Sequence, residues 1–209
     1  MNRKSGAGPW MSAAFCAAVI LTAIILAVMG PGVKGTIIAL RVTARLSFLL
    51  FWLAYAGGAM AKLFGPTFDV LARHGRDFGL SFAAGQLVHV GLIVWLSHVS
   101  GEPLRVTNWF VMAECIGLAW LYVLALLSVE RLRAVLSPKL WRLLYAIGFE
   151  YIAFIFFFNF VLIPVRTQTP QPIQIFSYLP FAILIVLGPV LRWSAMARSS
   201  RKKRKTVPM

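Results

Sequence analysis

Six apolar stretches, each long enough to cross a lipid bilayer, take up most of this 209-residue chain. A spanning helix needs about 20 predominantly apolar residues, because in hydrocarbon each backbone N–H and C=O must find its partner inside the helix. The stretches lie at roughly 10–29, 44–64, 78–98, 109–129, 140–165 and 173–193. Hydrophobic residues make up 60% of the chain, against about 45–50% in soluble domains. The expected fold class is therefore all-α: a polytopic membrane bundle of six transmembrane helices. It forms one domain over 1–197, followed by a basic cytoplasmic tail over 198–209. Little length is left for a water-soluble module, so flavin or nicotinamide chemistry would have to come from a partner.

The first stretch follows a basic leader, Met1-Asn-Arg-Lys-Ser5, as a signal peptide would. Its apolar run is longer than the ~7–15 residues of a signal core, and no small-x-small cleavage site comes after it. It reads as a retained helix, closed by Gly30-Pro31-Gly32. Pro180 and Pro189 fall inside the sixth stretch, where neighbouring groups satisfy the freed carbonyls and kinks are expected.

A net charge of +15 in a soluble protein would point to nucleic acid. Here the basic residues sit in loops and the tail, so the charge reads as topology and nucleic acid is excluded as a partner. Five of the 21 lysines and arginines (Lys34, Arg41, Arg45, Arg105 and Arg166) fall on one side of the expected bundle, and the rest on the other. The positive-inside rule then puts both termini in the cytoplasm, in a bacterial-type inner membrane. The tail run Arg201-Lys-Lys-Arg-Lys205 suits anionic headgroups or a plain topological anchor. Cys16 and Cys115 fall in different spans near opposite faces, which argues against a disulfide.

Ionisable groups inside a span are costly and mark function by default. Three qualify: His89 in the third span, Glu114 in the fourth and Glu150 in the fifth. His89 lies about 16 Å into its helix and Glu150 about 15 Å into its own, from the same side. The two are expected to hydrogen-bond. Glu114 lies nearer the outer surface. His89 can be read as a metal ligand, a proton carrier or an interhelical hydrogen bonder. Gly85, one turn before it, would admit a flat ring or another helix, and Gly57, Gly58 and Ala61 on the second span form a small-residue seam. His74 and His98 read as boundary residues. No metalloprotease, Cys-x-x-Cys or phosphate-loop motif is present.

The segment Arg76-x-x-Gly79-Leu80 … Leu87-Val88-His89, together with Trp141-Arg-Leu-Leu144-Tyr145 at the entry to the fifth span, resembles the ferric reductase-like transmembrane domain family. Within that family the chain is most similar to the haem-binding membrane subunits of periplasmic methionine-sulfoxide reductase systems. The resemblance implies an electron-transfer subunit that binds haem b and docks a redox partner protein. It implies His89 as axial ligand to the haem iron, Arg76 and Arg73 as propionate contacts, and Glu150 as a supporting partner behind the ligand. The chain departs from the pattern after Trp141-x-x-Leu144, where the family's histidine is replaced by Tyr145, and the later ligand position falls in Phe156-Phe-Phe-Phe-Asn159. The haem site is thus degenerate: the iron would have His89 as its single axial ligand, or take a second ligand from a partner or another copy in an oligomer.

Two other readings stand beside this one. A haem-free structural or regulatory subunit of the same layout would fill the porphyrin space with the aromatic run 154–160. A proton-coupled transporter would use His89, Glu150 and Glu114, but internal repeats, which such transporters usually have, are not evident.

Overall fold

The computed structural model describes residues 7–102, 108–128, 136–162 and 172–205, the side chains of 172–176 and 201–205 excepted. The described residues form helices α1 (Gly8–Met29), α2 (Val33–Phe64), α3 (Asp69–Arg73), α4 (Gly75–Ser100), α5 (Trp109–Leu127), α6 (Pro138–Phe157) and α7 (Pro172–Lys205). A 3-10 turn, Pro66–Phe68, precedes α3, and a π turn, Phe158–Leu162, extends α6. No strand occurs among the described residues. Six helices are long and apolar enough to cross a membrane. The molecule is an all-α bundle of membrane type.

The second span differs most from its expected bounds. The helix starts at Val33, not near residue 44, and runs for 32 residues, about 48 Å at 1.5 Å per residue. Lys34 and Arg41 are therefore helical rather than loop residues, and Arg45 stands well inside the helix rather than at its start. Arginine and lysine are good helix formers, so nothing in their backbone preference stops α2 from starting early. The connection from α1 is short. Gly30 takes φ 84°, a left-handed value open to glycine. Buried Thr36 then ties the first turn of α2 back to the Gly32 carbonyl, with its hydroxyl at 2.9 Å.

The chain divides into two compact units. The first comprises 1–51 and 76–155: α1, the first half of α2, α4, α5 and most of α6. Its helix pairs are locked by specific contacts. The Trp10 ring meets Phe78 edge-on at 5.7 Å, and the Trp95 indole donates to the Pro31 carbonyl at 3.2 Å. Tyr122 donates to the Ala83 carbonyl at 3.4 Å, and Tyr151 to the Ala113 carbonyl at 3.0 Å. Each of the two phenols half-buries its ring while its hydroxyl finds a backbone acceptor. Gly148 lets α6 close on α5: a Cβ there would stand 2.7 Å from Leu124 Cδ1.

The second unit comprises 52–75 and 156–209. Here α7 runs unbroken through Pro180 and Pro189. The Trp52 indole donates to the Leu184 carbonyl at 2.7 Å. Gly188 accepts the Tyr55 ring so closely that a Cβ would stand 2.9 Å from it. The Arg192 guanidinium lies 4.4 Å from the centroid of the same Tyr55 ring, in cation–π contact. Of the expected seam residues, Gly57 is buried against Leu71 of α3, whereas Gly58 is exposed and faces open space.

Candidate functional site

The first unit carries a polar layer at its mid-level. Three contacts set the register of α2 against α4. Thr43 lies opposite His89, Ser47 opposite Gly85, and Phe51 opposite Phe82 with ring centroids 5.6 Å apart. The two helices therefore run antiparallel, and Arg45 falls level with Leu87. The Trp10–Phe78 and Trp95–Pro31 contacts show that α1 runs beside α4 from Phe78 to Trp95. Half-way along that stretch is the Gln86–Leu87 level. Arg45 and His89 thus lie near the middle of the part of α4 that α1 covers.

Both glutamates belong to the same layer. Tyr122 reaches Ala83 from antiparallel α5, which puts Glu114 about level with Gly91. Phe149 of α6 meets Phe51 at 5.7 Å, so Glu150 is about level with Phe82–Ala83. Arg45, His89, Glu114 and Glu150 come from four helices and are each half-buried. They share a slab about 14 Å thick at 1.5 Å per residue. Ionisable side chains at this depth are rare and mark functional positions. Arg45 is hidden in the sequence because it falls at the very start of the expected second span, where a charge passes for a boundary residue. The signal that could have placed it is the spacing of Thr36, Ala39, Thr43, Ser47 and Phe51, a buried helical face that starts α2 well before residue 44.

The best-defined contact in the layer is that of His89. Thr43 Oγ1 lies 2.9 Å from His89 Nδ1 and also 2.9 Å from the Ala39 carbonyl. A hydroxyl has one proton and two lone pairs. Given to Ala39, in the back-bond that a helical threonine often makes, that proton leaves Oγ1 to accept from Nδ1–H. The tautomer assigned by this network puts the imidazole lone pair on Nε2. On the same helix, Ser81 Oγ and Gln86 Oε1 are buried without a hydrogen-bond partner among the described residues.

The space around His89 is closely packed. A Cβ on Gly85 would stand 3.9 Å from Ser47 Oγ and 4.0 Å from Leu50 Cδ1, ordinary van der Waals contact, so α2 packs against α4 here with room for a methyl group. Phe51, Phe82 and Phe149, all buried, fill the centre between α2, α4 and α6. Tyr145 stacks on Phe149 at 4.2 Å and sits one turn further from His89 along α6. Two members of the expected aromatic filler, 154–160, have defined surroundings. Phe154 is 53% exposed, and Phe160 packs on Phe181 at 5.2 Å within the second unit. The run straddles the end of the regular α6 helix and continues into its π turn.

The remaining expected site residues lie elsewhere. Arg76 Nη2 donates to the Ser128 carbonyl at 2.7 Å, closing the end of α5. It lies thirteen residues before His89, about 20 Å along the helix. Arg73, exposed on α3, turns its Nε toward the Asp69 carbonyl at 3.4 Å. His74 comes directly after α3, and His98 lies on α4 about 13.5 Å beyond His89. One histidine therefore reaches the layer. The chain's three histidines thus cannot give two-histidine ligation of a haem iron at this level. Among the described residues no three His, Cys, Asp or Glu side chains gather as a metal ion would need. Comparison with known proteins returns no matching family model, no curated relative and no similar solved structure.

Proposed function

We propose that this chain is a multi-pass inner-membrane subunit of ferric reductase-like organisation, with both termini cytoplasmic, whose working centre is the mid-level layer around His89. The observation that supports this reading is the Thr43–His89 hydrogen bond. A ligating histidine is typically held by a partner on its other ring nitrogen, which fixes its tautomer and orientation. Thr43 supplies such a partner to Nδ1 and directs the lone pair to Nε2.

In this reading His89 would hold a b-type haem through Nε2, and the haem would supply one-electron chemistry. Arg45 is the basic side chain at the height of the histidine, although it lies about 200° round α2 from Thr43. Glu150 and Glu114 set the charge of the layer from α6 and α5. A redox partner or a second copy would complete the ligand set.

A second reading is favoured by the packing of Phe51, Phe82 and Phe149 and by the α2–α4 seam at Gly85. It is a haem-free subunit of the same layout, with His89 as an interhelical hydrogen bonder. The absorption spectrum of the purified protein, oxidised and then dithionite-reduced, separates the two. A Soret band that shifts on reduction and is lost in His89→Ala supports the haem-binding subunit. A featureless spectrum from haem-replete cells overturns it in favour of the haem-free one.

A further inference from the structure

One end of the second unit is strongly basic, and its charge is unbalanced within the unit. Residues 52–75 and 156–209 contain ten lysines and arginines and a single acidic residue, Asp69. Three of the basic side chains have defined partners among the described residues: Arg73, whose Nε turns to the Asp69 carbonyl, Arg192 and Arg198. Arg192 lies over the Tyr55 ring. Arg198 Nη1 donates to the Leu63 carbonyl at 2.9 Å and approaches that of Lys62 at 3.5 Å. This cap satisfies the carbonyls that the end of α2 leaves over.

The cap also positions the basic run beyond it. α7 stays helical to Lys205, so Arg201-Lys-Lys-Arg-Lys205 begins three residues past a point pinned to the end of α2. Lys62 is exposed there, as is Arg73 on α3, which folds back with Leu71 against Gly57. Exposed apolar side chains accompany them: Phe64 and Val70, with Trp193 and Met196 on the approach along α7. A tryptophan near the end of a span, long cations beyond it and apolar side chains between them suit the boundary between hydrocarbon and headgroups.

We propose that this end of the second unit, formed by the close of α2, by α3 and by the last turns of α7, binds anionic phospholipid headgroups. One carboxylate cannot neutralise the cluster, and a headgroup phosphate layer offers the opposite charge at the height where the exposed apolar groups meet the membrane. The inference rests on the bilayer setting alone and is independent of whether haem binds.

The test uses the full chain in nanodiscs of phosphatidylcholine, with and without phosphatidylglycerol, at low and high salt. Phosphatidylglycerol is expected to raise the midpoint of thermal unfolding at low salt, with the gain shrinking at high salt. Native mass spectrometry of the wild-type protein should show phosphatidylglycerol retained in preference to phosphatidylcholine. Replacing residues 201–205 with glutamine, together with Lys62→Gln and Arg73→Gln, should remove both effects, with Arg198 left in place. Inorganic phosphate added to the phosphatidylcholine discs should not reproduce the gain. Equal midpoints and equal retention of the two lipids, a glutamine variant that keeps the full response, or a matching response to inorganic phosphate would each overturn the proposal.

Discussion

Thr43 and His89, 46 residues apart in sequence, are joined side chain to side chain at 2.9 Å across α2 and α4. Hydrogen bonds between membrane helices average about 0.6 kcal/mol and reach about 1.7 kcal/mol. Thr43→Val keeps the shape and removes the hydroxyl, leaving Nδ1 without its partner. Thermal or denaturant unfolding in detergent should show a loss of about 1 kcal/mol, and Thr43→Ser should recover much of it. An unchanged Thr43→Val protein would show that the contact contributes nothing to stability.

The haem reading makes a separate demand on Arg45. If that side chain serves a propionate, Arg45→Gln should weaken haem retention, read as Soret absorbance per protein after gel filtration, while Arg76→Gln should leave it unchanged. The opposite ranking would move the propionate contact back to the start of α4.

Two adjacent glycines test the packing of the second unit. A Cβ on Gly57 would meet Leu71 Cβ at 2.9 Å and the Leu71 backbone at 3.3 Å, atoms that cannot swing away. A Cβ on Gly58 would meet nothing within 4 Å. Overpacking of this kind costs about 1–3 kcal/mol. Gly57→Ala should lower the unfolding midpoint, whereas Gly58→Ala should hold or raise it. Equal effects would mean that α3 does not sit against α2.

Trp52 links α2 to α7 near a proline. Its indole donates to the Leu184 carbonyl at 2.7 Å, one turn before Gly188-Pro189, where the proline ring has no N–H to give to the helix. Trp52→Phe keeps an aromatic body and loses the donor. A loss of about 1–2 kcal/mol is expected from the missing hydrogen bond and the smaller ring. Hydrogen exchange should rise locally around 184–188, and a uniform rise across the whole chain would argue against a local role.

The six spans could be read from the sequence because length and apolarity are nearly sufficient to specify a membrane helix. The start of α2 could not, because Lys34 and Arg41 look like loop residues when charge is used to find span ends. The helical spacing of Thr36, Thr43 and Ser47 carried the contrary signal. His89 was visible as a lone imidazole at mid-span, but its partner Thr43 fell just outside the expected second span. The rings that pack the centre were also hidden. Phe51, Phe82 and Phe149 are scattered over three helices, whereas Phe160 of the conspicuous phenylalanine run at 154–160 packs on Phe181.

The short turn at Gly30-Pro31-Gly32 bears on how the chain enters the membrane during synthesis. An arginine at the centre of an inserting helix costs about 2.5–3.5 kcal/mol on the translocon scale. α2 carries that cost in Arg45, whereas α1 has no charged residue from Gly8 to Met29. With only that turn between them, the two helices can partition as one hairpin, the apolar first arm offsetting the charged second. Lengthening the turn would uncouple the arms and leave α2 to insert alone.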